Sequence, residues 1–223
     1  QRRENDLVGA SFGRGFYILD DISPLRTLTE ELADQEGVLF PVKDAYWYNP
    51  RSIISSQGSD HYIAENPPHG AIFTYYLKDK YPTIASERKK NEKKLDKEGE
   101  DIPFPGWDKL EEERREEKPQ LIFTITDESG DIVNVIKQNP KQGINRISWE
   151  MRHQSKGLIN PGQSSGGWRS QGFMAMPGRY MVSMAIKING ELRQLGKTQE
   201  FSLVPLREGA LKGKSVDEIV AFR

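Results

Sequence analysis

The sequence predicts a mainly β protein, a two-sheet β-sandwich that carries a charged helical insertion. Apolar and polar residues alternate in about seven short runs over roughly one hundred residues, once the charged segment is set aside. Turn residues separate these runs, and one turn is Asn189–Gly190, the pair that favours a type I′ hairpin. This size and strand number are those of an immunoglobulin-like, or fibronectin III-like, β-sandwich. We therefore expect the sandwich over residues 69–206.

The chain begins with a predicted hairpin in the section 1–48. Its strands are Leu7–Phe12 and Gly15–Leu19, followed by a short helix that opens at Ser23 and by a strand at Val38–Phe40. Two strands alone form a marginal structure in water. We therefore expect the hairpin to join a sheet supplied from elsewhere.

A connector, 49–68, follows this section, because its Ser, Asn, Gly and Pro residues show no periodicity. At the other end, the tail 207–223 contains Ser215, a good N-cap for a helix of about two turns. The chain opens without an initiator Met and stops after that short helix. We expect both ends to be cuts through a longer polypeptide.

The insertion, 79–118, lies in the most charged part of the chain. Twenty-five of the 41 residues from Lys78 to Lys118 are Asp, Glu, Lys or Arg. Helix-favouring residues predict two helices, Thr83–Lys97 and Trp107–Glu117. Few apolar residues are available to fix these helices in place: Leu95, Trp107 and Leu110. Because the two signs of charge are interleaved along the chain, we favour a solvated helical hairpin over an acidic or basic interaction arm.

Composition excludes several classes of function. Thirty-two Lys and Arg residues against 33 Asp and Glu give a net charge of −1, which provides no overall field for nucleic acid. No stretch approaches the ~18 to 20 apolar residues of a membrane span. Because the chain has no cysteine, disulfides and cysteine-ligated metals are excluded. We expect no nucleic-acid partner, no membrane span and no cofactor.

Residue types of common catalytic sites are present without the spacing that catalysis needs. Asp20 and Asp21 are adjacent, which suits a turn or the start of a helix better than the facing carboxyl groups of a glycosidase. The histidines, His61, His69 and His153, are too far apart in sequence for a recognisable zinc motif. Glycine and serine form neither a nucleophile elbow nor a phosphate-binding loop. We predict no catalytic residue and no metal site in this chain.

Aromatic residues are the better candidates for binding and packing. Trp168 and Arg169 lie in a loop rich in Gly, Ser and Asn, where an exposed Trp could stack on a sugar ring or an aromatic partner. Such a tryptophan more often packs onto its own domain, so binding is the weaker alternative. Trp149 occupies an inward strand position and is predicted to lie in the core. A further cluster is expected to pack between the two sections: Tyr46, Trp47 and Tyr48.

Several segments resemble one family of bacterial proteins. The segment Asn5–Leu28, NDLVGASFGRGFYILDDISPLRTL, followed by Val38–Tyr48, VLFPVKDAYWY, resembles the C-terminal region of exported sortilin-like proteins with BNR repeats. In that family a glycosidase-like β-propeller ends in a similar hairpin, and an immunoglobulin-like domain follows. The family's Asp-box is missing, because the nearest candidate, Ser164–Trp168, lacks both the Asp and the spacing. Later segments are similar to sandwich strands of the same proteins: His69–Asp79, Gly143–Arg152 and Pro177–Ile186.

The resemblance implies a non-catalytic role. The opening hairpin would complete an upstream β-propeller of the same polypeptide, and any hydrolase activity would reside in that propeller. By resemblance to immunoglobulin-like domains, Tyr180 would tie a loop through its hydroxyl. The implied function is to close and stabilise the propeller of an exported protein, in the periplasm or outside the cell, and to bind protein partners. The alternative is an accessory domain of a BNR-repeat glycoside hydrolase that helps to bind glycan through Trp168 and Arg169.

Overall fold

The computed structural model describes residues 5–13, 15–50, 66–154, 172–207, 213–215, 218–219 and 222, together with the backbone of residues 2–3. Its strands, in chain order, are β1 Arg2–Arg3, β2 Asp6–Ser11, β3 Gly15–Leu19, β4 Gly37–Leu39, β5 Ala45–Trp47, β6 Ala71–Leu77, β7 Gln120–Asp127, β8 Ile132–Gln138, β9 Gly143–Trp149, β10 Gly178–Ile188 and β11 Glu191–Pro205. Its helices are α1 Ser23–Thr27, α2 Glu30–Ala33, α3 Ile84–Glu98 and α4 Trp107–Arg115.

The strands form a small N-terminal sheet, in the order β1-β2-β3, and two sheets that share a core. One of these has the order β4-β6-β9 and the other β5-β11-β10-β7-β8. Their neighbouring strands are antiparallel, except that β5 runs parallel to β11. The two sheets face each other: the ring centre of Phe73 on β6 lies 6.3 Å from the ring centre of Phe123 on β7 and 5.5 Å from that of Phe201 on β11. This arrangement is consistent with a β-sandwich, and the mainly β prediction is confirmed.

Alternation along the strands fills the space between the two sheets. Every second residue of β6 and β10 points into the core, as expected from the pleat of a strand. Burying one large apolar side chain contributes about 1.5–3 kcal/mol, so this shared core is the main source of stability. The inward residues of these two strands are Ala71, Phe73, Tyr75, Leu77, Tyr180, Val182, Met184 and Ile186.

The turn at Asn189–Gly190 joins β10 to β11, as the sequence predicts. Its residues have positive φ, 50° and 86°, as a type I′ turn requires. The last two strands, expected from Leu192 and over Phe201–Val204, form one continuous strand, β11. The ladder stays continuous because a bulge absorbs the irregular register, and Gly196 adopts a φ of 67° there at little steric cost.

The insertion forms the two predicted helices, α3 and α4. Thr83 caps α3, since its Oγ1 accepts a hydrogen bond from the amide of Ser86 at 3.2 Å. Gly99 follows the last turn in the left-handed region, with a φ of 72°. Trp107, which was expected to fix the insertion in place, is 78% exposed, so that expectation is wrong. Its ring packs edge-on against Phe104 of the same insertion, with 5.2 Å between the ring centres.

Charged side chains join the two inserted helices. The Arg88 guanidinium on α3 donates to the Glu113 carboxylate on α4 at 2.6 and 2.9 Å, and it also pairs with Glu92. These hydrogen bonds lower the pKa of Glu113. At the start of α3, the amide of Ile84 donates to Glu116 at 2.9 Å. The interleaved charges thus hold the helical hairpin together.

The first section divides between two parts of the molecule. β4 pairs with β6, and β5 pairs with β11, so both strands belong to the sandwich by their hydrogen bonds. This corrects the grouping of 1–48 as one propeller end, because short strands satisfy their backbone groups at whichever sheet edge is within reach. The helix expected from Ser23 is divided into α1 and α2, since Leu28 is extended and Thr29 caps the second helix.

Candidate interaction site

The N-terminal sheet leaves most of its apolar side chains in contact with solvent. Phe16 is 80% exposed and Ile18 is 64% exposed, although both lie on a β-strand. Contiguous exposed apolar surface of this kind is typical of an interaction site. Further exposed apolar residues lie on the same two strands: Leu7, Tyr17 and Leu19.

Both faces of this sheet are apolar. A sheet that has water on one side normally alternates apolar and polar residues. Strands that are covered on both faces instead carry near-continuous apolar runs, and β2 and β3 follow this second pattern. Cross-strand partners share a face, and the pairs are Val8 with Ile18 and Ala10 with Phe16 on one side, and Leu7 with Leu19 and Gly9 with Tyr17 on the other.

Hydrogen bonds join the segment after this sheet to the start of β2 and, through one arginine, to the sandwich. The amide of Ile22 donates to the carbonyl of Asn5 at 2.7 Å, and the amide of Asp21 donates to Oδ1 of Asp6 at 2.8 Å. Arg146 on β9 donates through Nη2 to the carbonyl of Asp21 at 2.5 Å. The base of the N-terminal sheet is therefore fixed, while its apolar faces stay open to solvent.

Asp20 and Asp21 have separate roles. The Asp21 carboxylate accepts hydrogen bonds from the amide and the hydroxyl of Ser23, which is the turn and helix-start role that the sequence favours. Asp20 lines a groove of about 350 Å³ together with Ile72 and Arg146. Among the described residues that line this groove there is no second carboxyl group, which glycoside hydrolysis would require.

The aromatic cluster at 46–48 lies at the edge of the sandwich. Trp47 is half-buried, and its Nε1 donates to the carbonyl of Ala175 at 2.6 Å. Tyr46 is exposed, and Tyr48 packs edge-on against the ring of His69, with 4.8 Å between the ring centres. Trp47 and Tyr48 thus contact residues of the section 69–206, and the role of the whole cluster in packing between the two sections stays a prediction.

Trp149 and Tyr180 meet in the core. Trp149 is 2% exposed, and its ring centre lies 5.4 Å from that of Tyr180. The Tyr180 hydroxyl donates to the carbonyl of Met176 at 2.7 Å, which ties down the chain that leads into β10. Burial raises the pKa of Tyr180 to about 12. A neutral, hydrogen-bonded phenol in this position serves the packing of the sandwich.

The remaining candidates give no assembled site. Trp168, Arg169 and His61 lie outside the described residues, so glycan stacking on Trp168 stays a prediction. His69 contacts Tyr48, with 3.2 Å between its Nε2 and the Tyr48 carbonyl oxygen. In the described ranges, no three His, Asp or Glu side chains lie where they could hold a metal ion.

Sequence reasoning missed Arg146 and a set of lysines on α3. Arg146 lies at an outward position of β9, and an arginine on a strand gives only a weak signal for a backbone partner in a distant segment. The lysines recur at helical spacing, so their periodicity is the signal that could have revealed them. They are Lys89, Lys90, Lys93, Lys94 and Lys97.

Comparisons of this chain with protein-family models, with curated proteins and with solved structures found no match. Of the helices in the described ranges, none has both the length and the apolar character that crossing a bilayer requires. The function must therefore be argued from the residues and contacts of the chain itself.

Proposed function

We propose that this chain is a non-catalytic structural and interaction module of an exported bacterial protein, located in the periplasm or outside the cell. Its N-terminal sheet completes an upstream β-propeller of the sortilin-like type, and its sandwich is immunoglobulin-like. The observation that carries the proposal is the apolar character of both faces of the N-terminal sheet.

The strand order supports the immunoglobulin-like part of the proposal. In such sandwiches, strands C, F and G lie in one sheet, while B and E lie in the other. Here β7, β10 and β11 are neighbours in one sheet, and β6 pairs with β9 in the other. Near the start of β10, Tyr180 donates back to the carbonyl of Met176, as does the tyrosine corner at strand F of these domains.

The N-terminal sheet has the properties of an incomplete part of a larger β structure. The blades of a propeller are small sheets arranged around a central channel, so that each blade packs against a neighbour on both faces. β3 is also an edge strand, and its unpaired N–H and C=O groups can accept a further strand. Both features favour docking onto another β-rich unit.

The energetics favour docking of the sheet. Fully burying an exposed apolar side chain contributes about 1.5–3 kcal/mol, and five side chains of the sheet are each about half to four-fifths exposed, so covering them supplies roughly 5–9 kcal/mol against the entropy cost of association. They are Leu7, Phe16, Tyr17, Ile18 and Leu19. Because an isolated hairpin is marginal in water, covering these side chains would stabilise the sheet.

A photo-crosslinking experiment tests the proposal. A photoreactive phenylalanine analogue replaces Phe16 in the intact protein that the gene encodes. A matched variant carries it at Leu192, an apolar position on β11 that is also mostly exposed, 64% against 80%. We expect position 16 to cross-link to residues that precede this chain in the same polypeptide, and position 192 not to do so. Equal cross-linking at the two positions, or none at position 16, would contradict the proposal.

A further inference from the structure

The lysines of α3 form one continuous basic face. At 100° per residue, they fall within a sector of about 140° around the helix axis. No Asp or Glu of α3 falls inside that sector, which Glu87 and Asp96 border. We call this surface the basic face, and it consists of Lys89, Lys90, Lys93, Lys94 and Lys97. Charges that are interleaved along the chain are therefore separated around the helix.

The basic face is open to solvent. Arg88 turns toward Glu113 of α4, so most of the basic face lies on the other side of α3, and all five lysines are exposed. Lys89, at the border of the face, is near enough to Glu113 to help lower the pKa of that carboxyl group. A groove of about 500 Å³ runs between their side chains. Lys94 pairs with Glu98 at 3.8 Å, whereas Lys90, Lys93 and Lys97 form no ion pair with any residue that the structure describes.

Repulsion between the lysines of the basic face destabilises α3. Like charges four residues apart destabilise a helix by about 0.2–0.5 kcal/mol per pair, and α3 contains three such Lys–Lys pairs. They are Lys89 with Lys93, Lys93 with Lys97, and Lys90 with Lys94. An anionic ligand along the basic face would remove this repulsion.

We propose that the basic face binds an extended acidic polypeptide segment. Lysines four residues apart are spaced by about 6 Å along the helix, which is close to the ~6.7 Å between alternate side chains of an extended chain. Aspartate or glutamate at every second position can therefore meet the lysines in register.

The same surface is less suited to a membrane or to nucleic acid. The insertion 79–118 carries 11 basic and 13 acidic residues, so its net charge is negative and a flat anionic bilayer is repelled by the insertion as a whole. A narrow acidic segment contacts the lysines of the basic face alone. Single-stranded nucleic acid is usually bound with aromatic stacking, and the basic face carries neither an aromatic residue nor an arginine. The acidic polypeptide is the ligand that fits the observed surface.

Fluorescence anisotropy with a labelled ten-residue poly-glutamate peptide tests the inference, since self-repulsion keeps this peptide extended at neutral pH. The whole chain is titrated at about 20 mM salt, where surface charges are weakly screened. A double variant, Lys93→Glu with Lys97→Glu, reverses two charges of the basic face. Its matched control, Lys109→Glu with Lys118→Glu, makes the same charge change elsewhere in the insertion. Circular dichroism verifies that both variants fold.

We expect the basic-face variant to bind the peptide at least roughly tenfold more weakly, and the control to stay within about twofold of the unaltered chain. Poly-glutamine of equal length should not bind. Equal weakening in both variants would overturn the inference, as would the absence of peptide binding to the unaltered chain. Tighter binding of a ten-residue oligothymidylate, or of vesicles of phosphatidylcholine and phosphatidylglycerol, would instead identify nucleic acid or lipid as the ligand and overturn it.

Discussion

Replacing Gly70 by alanine should disrupt the sandwich at the point where β6 begins. Gly70 has a φ of 107°, and a Cβ built there would lie 1.9 Å from the carbonyl oxygen of Trp149 and 2.8 Å from its carbonyl carbon. Both contacts are with backbone, so they are relieved only if β6 moves away from β9. Backbone strain and overpacking of this kind each cost about 1–3 kcal/mol, so we expect Gly70→Ala to lower the free energy of unfolding by roughly 3–5 kcal/mol.

Gly130→Ala provides the matched control. Gly130 also has a positive φ, 86°, but no atom lies within 4 Å of the position where a Cβ would stand. Only the strain of a left-handed alanine applies there, about 1–2 kcal/mol. Urea unfolding, followed by far-ultraviolet circular dichroism of the β-sheets, measures both variants. If the two variants lose the same stability within about 0.5 kcal/mol, the close approach of Gly70 to the β9 backbone is not what holds this end of the sandwich.

Three further predictions concern single side chains. Tyr180→Phe removes the hydrogen bond to Met176 and should cost about 1 kcal/mol in urea unfolding at neutral pH. The folded-state pKa of Tyr180 is raised to about 12, so the stability that its neutral phenol contributes should be fully present below pH 10 and be lost as the pH rises toward 12. The free energy of unfolding should therefore fall less steeply with pH in the variant than in the unaltered chain. Trp107→Ala should change the free energy of unfolding by less than about 0.5 kcal/mol, since a larger loss would mean that this exposed ring does fix the insertion. Arg88→Gln should raise the pKa of Glu113 toward its ordinary value in an NMR titration, and an unchanged pKa would show that the two helices are held otherwise.

The sequence was sufficient for features that depend on local periodicity. Alternation located β6, β7 and β10, helix-favouring residues located α3 and α4, and Asn189–Gly190 identified its hairpin. Each of these signals lies within about fifteen neighbouring residues, where side-chain period and backbone preference act together.

Features that depend on distant partners could not be predicted in the same way. The pairing of β4 with β6 and of β5 with β11 depends on which sheet edges come within reach after folding. Helix propensity placed Trp107 on α4 correctly but contained no information about what its ring would contact. The balance of charge along the chain does not indicate the basic face, because the helix distributes the charges around an axis.

Amide hydrogen exchange tests most directly whether the N-terminal sheet needs a partner. In the chain studied alone, the amides of β6 and β10 should exchange with an opening free energy close to that of global unfolding. The amides of β2 and β3 should exchange with an opening free energy close to zero. If the sheet docks onto an upstream unit as proposed, the β2 and β3 amides should gain at least roughly a hundredfold in protection in the polypeptide that contains that unit. The account is contradicted if these amides, in the chain alone, are already as well protected as those of β10.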